Sequence, residues 1–287
     1  MIEENILFLI RAKIFDQQAR MLAERLSEIG GMRVVAVVDE RDGFSETAPF
    51  EKVSLNERAL AEIGITGLPE NWGWFCGDMC YFLAASRFPG YEYYALIESD
   101  VFLPDAGVEP LLAAFEACKA DVIAAQIGPT AEPKKYSKGL TSLGLNPAWG
   151  CIFPLSRASA RVLVEMQAVR CEALIKAPHE KLNDEGVLVG AVQRGGYSFV
   201  RLEDLLPSQV SKETFDTNPP HLYEVVSTDK RETRLFHPVV PFETVLTRIH
   251  SGEKNYTEHR LRKILRTAPE KMKQALEAAL AKTGMEP

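Results

Sequence analysis

The 287-residue chain lacks an excess of positive charge: 33 Lys and Arg stand against 40 Asp and Glu, a formal net charge of −7. No global basic field draws it to nucleic acid, so an anionic ligand would need local cations or a metal ion. Cysteine is scarce. The five, Cys76, Cys80, Cys118, Cys151 and Cys171, are odd in number and lack disulfide-like spacing. Cys76 and Cys80 lie four apart on an expected helix, with no second Cys/His pair at zinc-site spacing. They read as reduced, buried thiols. Long apolar runs are missing too, and no stretch approaches transmembrane length. The apolar residues 6–10, after the acidic start Met1-Ile2-Glu3-Glu4-Asn5, are too few for a signal peptide. The expected location is therefore cytoplasmic. Internal repeats and low-complexity tracts are absent. What remains is an ordinary globular composition, 46% hydrophobic and 25% charged, long enough for one large α/β domain with an appendage or for two small domains.

The chain is organised around Tyr93-Tyr94-Ala95-Leu96-Ile97-Glu98-Ser99-Asp100. Apolar residues run without alternation into two carboxylates, and Pro89-Gly90 sets the run off. This is the pattern of a strand buried on both faces of a parallel sheet. Side chains in a strand repeat every two residues, so Glu98 and Asp100 would project to one side if the strand persists. Ligands of open α/β sheets bind outside the carboxyl ends of strands, and two carboxylates there suit a hard divalent cation and, through it, phosphate oxygens.

Around that strand the chain alternates β and α. Residues 5–10 predict a first strand. Asp16 caps a helix to about residue 29, ended by Gly30-Gly31, and residues 33–38 form a second strand with Asp39 at its carboxyl end. This is a βαβ unit with a right-handed crossover. Asp39 is a candidate for the ribose or base of a nucleotide, or a turn carboxylate before Asp42-Gly43. Residues 50–55 predict a strand, and Asn56 caps a short helix. In Asn71-Trp72-Gly73-Trp74-Phe75-Cys76-Gly77-Asp78, two of the three tryptophans gather just before a helix over residues 77–87. Trp74 and Asp78 either wall a donor pocket or serve as core and helix-terminal charge. A helix over residues 108–119 and a strand over 121–127 follow, then a polar loop, residues 128–147, carrying Lys134, Lys135 and Lys138. Structureless loops of that length are uncommon and are often binding loops or lids. Residues 149–154 predict a strand, with Ser156 capping the next helix. Asn183-Asp184-Glu185-Gly186 opens a further helix that ends at Gly195-Gly196. His237, in Leu235-Phe236-His237-Pro238-Val239, is held extended by the following proline. Residues 258–282 form an amphipathic helix or helix pair, with Leu261, Ile264, Leu265, Met272, Leu276 and Leu280 as its stripe. That stripe packs on the preceding domain or on a second copy in a homodimer.

Taken together these features resemble a GT-A-fold glycosyltransferase over roughly residues 5–240. The residues that carry the likeness are the βαβ half ending in Val38-Asp39, the W-x-x-G-D stretch Trp74 to Asp78, and Glu98-Ser99-Asp100 in the place of the D-x-D motif. They continue in Trp149-Gly150-Cys151 with Ser156-Arg157, the acidic pair Asp184-Glu185, and Phe236-His237-Pro238-Val239. The resemblance implies an α/β fold: a Rossmann-like, mostly parallel sheet flanked by helices, with a C-terminal helical extension. Residues 1–245 would be catalytic, with a nucleotide-binding half (1–104) and an acceptor and metal half (105–245), and residues 246–287 the extension. It implies transfer of a sugar from a UDP- or GDP-linked donor to a hydroxyl of a glycan or other acceptor, with Mn²⁺ or Mg²⁺. Asp100 would bind the metal directly. Glu98 would meet it through water or touch the ribose, with Ser99 beside the donor, and His237 would complete the metal shell. Glu98 departs from the aspartate usual at its position.

The chemistry agrees. Cleavage of a glycosyl–phosphate bond develops negative charge on the leaving diphosphate, which a divalent cation stabilises; carboxylates suit Mg²⁺ and Mn²⁺, and an imidazole favours Mn²⁺. An inverting transferase also needs a carboxylate base across the anomeric carbon from the leaving group. Asp184 and Glu185 are the candidates, Glu185 having the longer reach. Two other readings compete. A nucleotidyltransferase would use a similar sheet, but Ile10-Arg11-Ala12-Lys13 lacks a glycine-rich loop. A binding or scaffold protein could keep the fold without turnover.

Overall fold

The computed structural model describes residues 5–178, 180 and 182–282; the acidic start, Met1 to Glu4, lies outside the described residues. The chain divides into two compact units, Met1–Ser99 with Val108–Pro207, and Asp100–Gly107 with Ser208–Pro287.

The first unit is built on β1 (Ile6–Ala12), β2 (Val34–Asp39), β3 (Glu51–Leu55), β4 (Tyr93–Glu98), β5 (Val122–Pro129), β6 (Trp149–Ser159) and β7 (Phe199–Arg201). They form one seven-stranded sheet in the order β3-β2-β1-β4-β6-β5-β7. Only β6 runs antiparallel to its neighbours. This is the α/β, Rossmann-like, mostly parallel sheet that the sequence predicts. β1, β2 and β4 are buried along nearly their whole length, which explains their unbroken apolar runs. The first seven helices are α1 (Gln17–Glu24), α2 (Glu57–Glu62), α3 (Trp72–Phe75), α4 (Met79–Arg87), α5 (Asp105–Ala117), α6 (Ala160–Lys176) and α7 (Asp184–Gly195), and Leu7, Leu9, Tyr94 and Leu96 share one core with α4, α6 and α7. Phe8, of opposite parity, stacks on Phe115 at a centroid distance of 6.4 Å.

The helix starts follow the capping residues. Asp16 accepts from the Ala19 N–H at 3.0 Å, Asn56 from Ala59 at 3.0 Å and Asn183 from Gly186 at 3.0 Å. The first helix is α-helical over Gln17–Glu24 and continues as a π-helical turn, Arg25–Ile29. Three expectations are corrected. β4 stops at Glu98: the Ser99 N–H makes the last ladder bond, to the Arg11 carbonyl at 2.9 Å, and the chain then turns, so Asp100 sits in a turn and not two residues on along the same strand. Ser156 is not a helix cap. β6 continues through it to Ser159, because the Ser156 hydroxyl is satisfied by Tyr81 Oη at 2.9 Å and Arg157 reaches the Phe115 and Ala120 carbonyls. Nor is the stretch 128–147 structureless: Lys138–Leu143 forms a 3₁₀ helix with Leu140 fully buried.

In the second unit β8 (His221–Leu222) pairs in parallel with β9 (Val239–Val240). The predicted helix pair is present as Glu258–Thr267 and Glu270–Lys282. Leu261, Ile264, Leu276 and Leu280 of its stripe are buried in one cluster with Val245, Ile249 and Tyr256, so the stripe is covered within its own unit. Among the described residues no helix is long and apolar enough to cross a membrane.

Candidate functional site

The first unit's acidic residues converge on Arg11. β1 and β4 pair with Arg11 directly opposite Glu98, so both side chains leave the sheet on the same face. Arg11 Nη1 donates to Glu98 Oε1 and lies 3.4 Å from Asp184 Oδ2. Its Nη2 donates to the carbonyls of Gly73 (3.0 Å) and Trp74 (3.3 Å). Asp184 also accepts from the Gly77 N–H at 3.0 Å and from the Glu185 N–H at 2.9 Å. Gly77 is required here: a Cβ on it would lie 2.2 Å from Arg11 Nη1 and 2.5 Å from Asp184 Oδ2. Burial opposes charge on Arg11, but the Glu98 carboxylate beside it more than offsets this and holds the guanidinium protonated.

The two candidate bases differ. Burial pushes Asp184 up to about 8 against the pull of Arg11. Both its oxygens already accept hydrogen bonds, and it anchors the start of α7. Glu185 is half-buried, and burial pushes it up to about 7, moderated by Asn183, by Lys134 and by the Phe153 N–H. Asn183 Nδ2 donates to Glu185 Oε2 at 3.2 Å. A helix N-terminus favours ionised carboxylates, but desolvation is the larger effect at both.

The remaining first-unit candidates are already engaged. Asp39 accepts from Arg41 Nε at 2.8 Å and Nη2 at 2.6 Å, and the same guanidinium lies 4.7 Å from the Trp72 ring centre. Burial raises Asp39, but Arg41 brings it below the ordinary carboxylate value. Asp78 is fully buried and takes two bonds from Arg170, at 2.8 and 2.7 Å, while Arg170 Nη1 reaches the Leu182 carbonyl at 2.6 Å. Asp78 therefore does not line a donor pocket; it is an internal counter-ion, and Arg170 ties α4 and α6 to the residue pair that precedes α7. Ser99 lies in the turn after β4, half-buried. Trp74 is 65% exposed and meets Tyr136 edge-on at 5.9 Å.

The second unit brings Asp100 and His237 together. The Asp100 carbonyl accepts from the Val239 N–H at 2.7 Å, and Phe102 and Phe236 exchange backbone bonds of 2.9 and 3.1 Å, which fixes the turn after β4 against the segment bearing His237. His237 is 6% exposed. Its Nδ1 lies 2.7 Å from the Asp216 carbonyl, which can only accept, so Nδ1 carries the proton and Nε2 faces Asp100 Oδ1 at 3.6 Å. That separation is too long for a hydrogen bond. It fits two ligands of one cation with metal–ligand distances of about 2.0–2.2 Å. A carbonyl that fixes the far ring nitrogen is the arrangement common to metal-binding histidines. The donor set, one carboxylate and one imidazole, suits a divalent cation.

Sequence reasoning passed over Arg11 and Arg170. Each left a signal: a cation inside an apolar strand or helix face must have a partner, because an unpaired buried charge is costly. The partners, 87 and 92 positions away, could not be named from spacing.

No protein-family model and no curated protein sequence matches the chain. Solved structures do. The galactosyltransferase LgtC, in complex with donor and acceptor sugar analogs, is 10% identical with a TM-score of 0.46, over 98% of this chain and 97% of that one. A glycosyltransferase involved in the glycosylation of the major capsid of PBCV-1 is 15% identical with a TM-score of 0.40, over 70% and 88%. The inositol-1-phosphate CTP transferase from T. maritima is 11% identical with a TM-score of 0.39, over 69% and 84%.

Proposed function

We propose that the chain is a glycosyltransferase that moves a sugar from a UDP- or GDP-linked donor to an acceptor hydroxyl, assisted by Mn²⁺ or Mg²⁺. The observation that carries this is the Asp100–His237 pair: a carboxylate and an imidazole whose tautomer is set so that its free nitrogen faces the carboxylate at 3.6 Å. Asp100 and His237 are the direct metal ligands in this reading. Glu98, two residues upstream and braced by Arg11, meets the metal through water or contacts the ribose, with Ser99 beside it. Asp39, at the carboxyl end of β2, takes the ribose or base together with Arg41. When bound, the divalent cation supplies charge stabilisation to the departing diphosphate.

Glu185 is the general base in this proposal. With a pKa of about 7 it is divided between its two forms near neutral pH, where a base is most effective. Asp184 and Asn183 position it by fixing the first turn of α7. The test is thermal: UDP or GDP with Mn²⁺ should raise the melting temperature, since a ligand at 100 times its Kd stabilises by about 2.7 kcal/mol. Asp100→Asn should lose that increment while melting near wild type without ligand, and His237→Ala should lose it from a lower unliganded melting temperature, because His237 is buried and bonded to the Asp216 carbonyl. No Mn²⁺-dependent stabilisation by either nucleotide in the wild type, or an undiminished increment in both variants, would refute the reading.

A further inference from the structure

The most exposed of the three tryptophans is also held in place. Trp74 leaves 65% of its surface to solvent. Yet its carbonyl accepts from Arg11 Nη2 at 3.3 Å, and its ring is braced by Tyr136 (5.9 Å, 79°) and Phe75 (6.0 Å). Tyr136 in turn stands edge-on to buried Phe75 at 5.4 Å and 88°. Three rings thus step from core to surface and end in an open indole with little freedom left to lose. Large exposed side chains elsewhere on the chain, such as Phe44 and Ile175, lack such a ring stack among the described contacts.

Both ends of this stack connect to the candidate base. Arg11, which bonds the Trp74 carbonyl, also contacts Asp184, the neighbour of Glu185. The Tyr136 carbonyl accepts from the Asn183 N–H at 3.2 Å, and Asn183 Nδ2 donates to Glu185. The segment that carries Tyr136 also carries Lys134, whose side chain lies over Gly150 and whose charge acts on Glu185.

We infer that the exposed indole of Trp74, braced edge-on by Tyr136, is a platform on which a pyranose ring of the acceptor glycan stacks, presenting its hydroxyl to Glu185. The inference rests on the glycosyl-transfer reading. A pyranose has an apolar C–H face and a polar rim. A rigid aromatic surface beside a few convergent polar groups is the kind of site that binds such a ligand, and a pre-braced ring loses little entropy on binding it. The donor's base is the competing occupant. It is disfavoured because the platform is joined to the group that activates the acceptor, and Arg41 already stacks on the neighbouring Trp72.

The experiment uses the full chain on a printed array of neutral and acidic glycans, with Mn²⁺–UDP and Mn²⁺–GDP titrated calorimetrically in parallel. Wild type should retain a subset of glycans. Trp74→Ala should lower that retention at least tenfold and Trp74→Phe should keep most of it, with nucleotide affinity within twofold of wild type in both. Glycan binding unchanged in Trp74→Ala would overturn the platform, as would nucleotide affinity falling with it, or a wild type that binds no glycan while binding Mn²⁺–nucleotide. Glycan binding that depends on Trp74, without any metal-dependent nucleotide binding, would instead uphold the platform and defeat the transfer reading.

Discussion

Glu185→Gln separates the chemistry of the site from its stability, because the two effects have opposite signs. The substitution keeps the shape and the acceptor oxygen for the Phe153 N–H but removes the proton-accepting carboxylate. Loss of an acid–base group lowers turnover by about two to four orders of magnitude, with donor affinity near wild type. Stability should move the other way. The native pKa of about 7 lies above the ordinary glutamate value of 4.5, so the native state holds this proton more tightly than the unfolded chain does. Wild-type stability from this group is therefore intact below pH 4.5, falls as pH rises between 4.5 and 7, and is level above. Each pKa unit corresponds to about 1.4 kcal/mol, so the shift amounts to about 3 kcal/mol at most. That shift is net, since the attraction to Lys134 is already part of it. Glutamine carries no such cost, and the variant should gain on the wild type by that amount between pH 4.5 and pH 8. Urea denaturation at the two pH values, beside initial rates across pH 5.5–8.5, reads both quantities. The wild-type rate should rise about tenfold from pH 6 to pH 8, as expected for a base of pKa near 7. A stability difference that does not change with pH would show that the carboxylate is not desolvated. Near-normal turnover in both Glu185→Gln and Asp184→Asn would remove the base from α7 and point to a retaining mechanism or to Glu203 or Asp204.

Local patterns carried the fold. Unbroken apolar runs marked β1, β2 and β4, and Asp16, Asn56 and Asn183 marked helix starts that the structure keeps, since capping is decided by neighbours in sequence. The errors arose where a distant partner settles a local ambiguity. Ser156 has the composition of a cap, but Tyr81, 75 positions away, supplies the hydrogen bond that keeps it inside a strand. Asp78 has the position of a ligand-binding carboxylate, but Arg170 neutralises it in the interior. Glu98 and Asp100 look alike in sequence. A single turn separates them, leaving one bound to Arg11 and the other beside His237. The residue types of the candidate site were therefore legible, while their division of labour was not, because it depends on which side chains the fold places opposite them.

Further tests follow from the buried ion pairs. Gly77→Ala would drive a methyl group to within 2.2 Å of Arg11 and 2.5 Å of Asp184, and should cost about 1–3 kcal/mol by overpacking while lowering turnover through displaced α7. A wild-type melting curve and rate in that variant would show that the cluster has room to spare. Arg170→Met isolates the deepest pair. The side chains of Arg170 and Asp78 are 3% and 0% exposed and share two hydrogen bonds. Deleting one partner of such a pair leaves an uncompensated charge, at a cost of about 3–5 kcal/mol. The Leu182 carbonyl also loses its donor, which adds about 1 kcal/mol. All three tryptophans belong to the first unit, so indole fluorescence during urea unfolding reports the stability of that unit alone. Asp78→Leu/Arg170→Met replaces both partners with apolar groups and should recover most of the loss, since buried pairs exchanged for packed hydrophobic residues are often neutral. A single variant within 1 kcal/mol of wild type would mean that water reaches Asp78. A double variant no better than the single would mean that the geometry of the bidentate pair, and not relief of an unpaired charge, holds α4 and α6 to the start of α7.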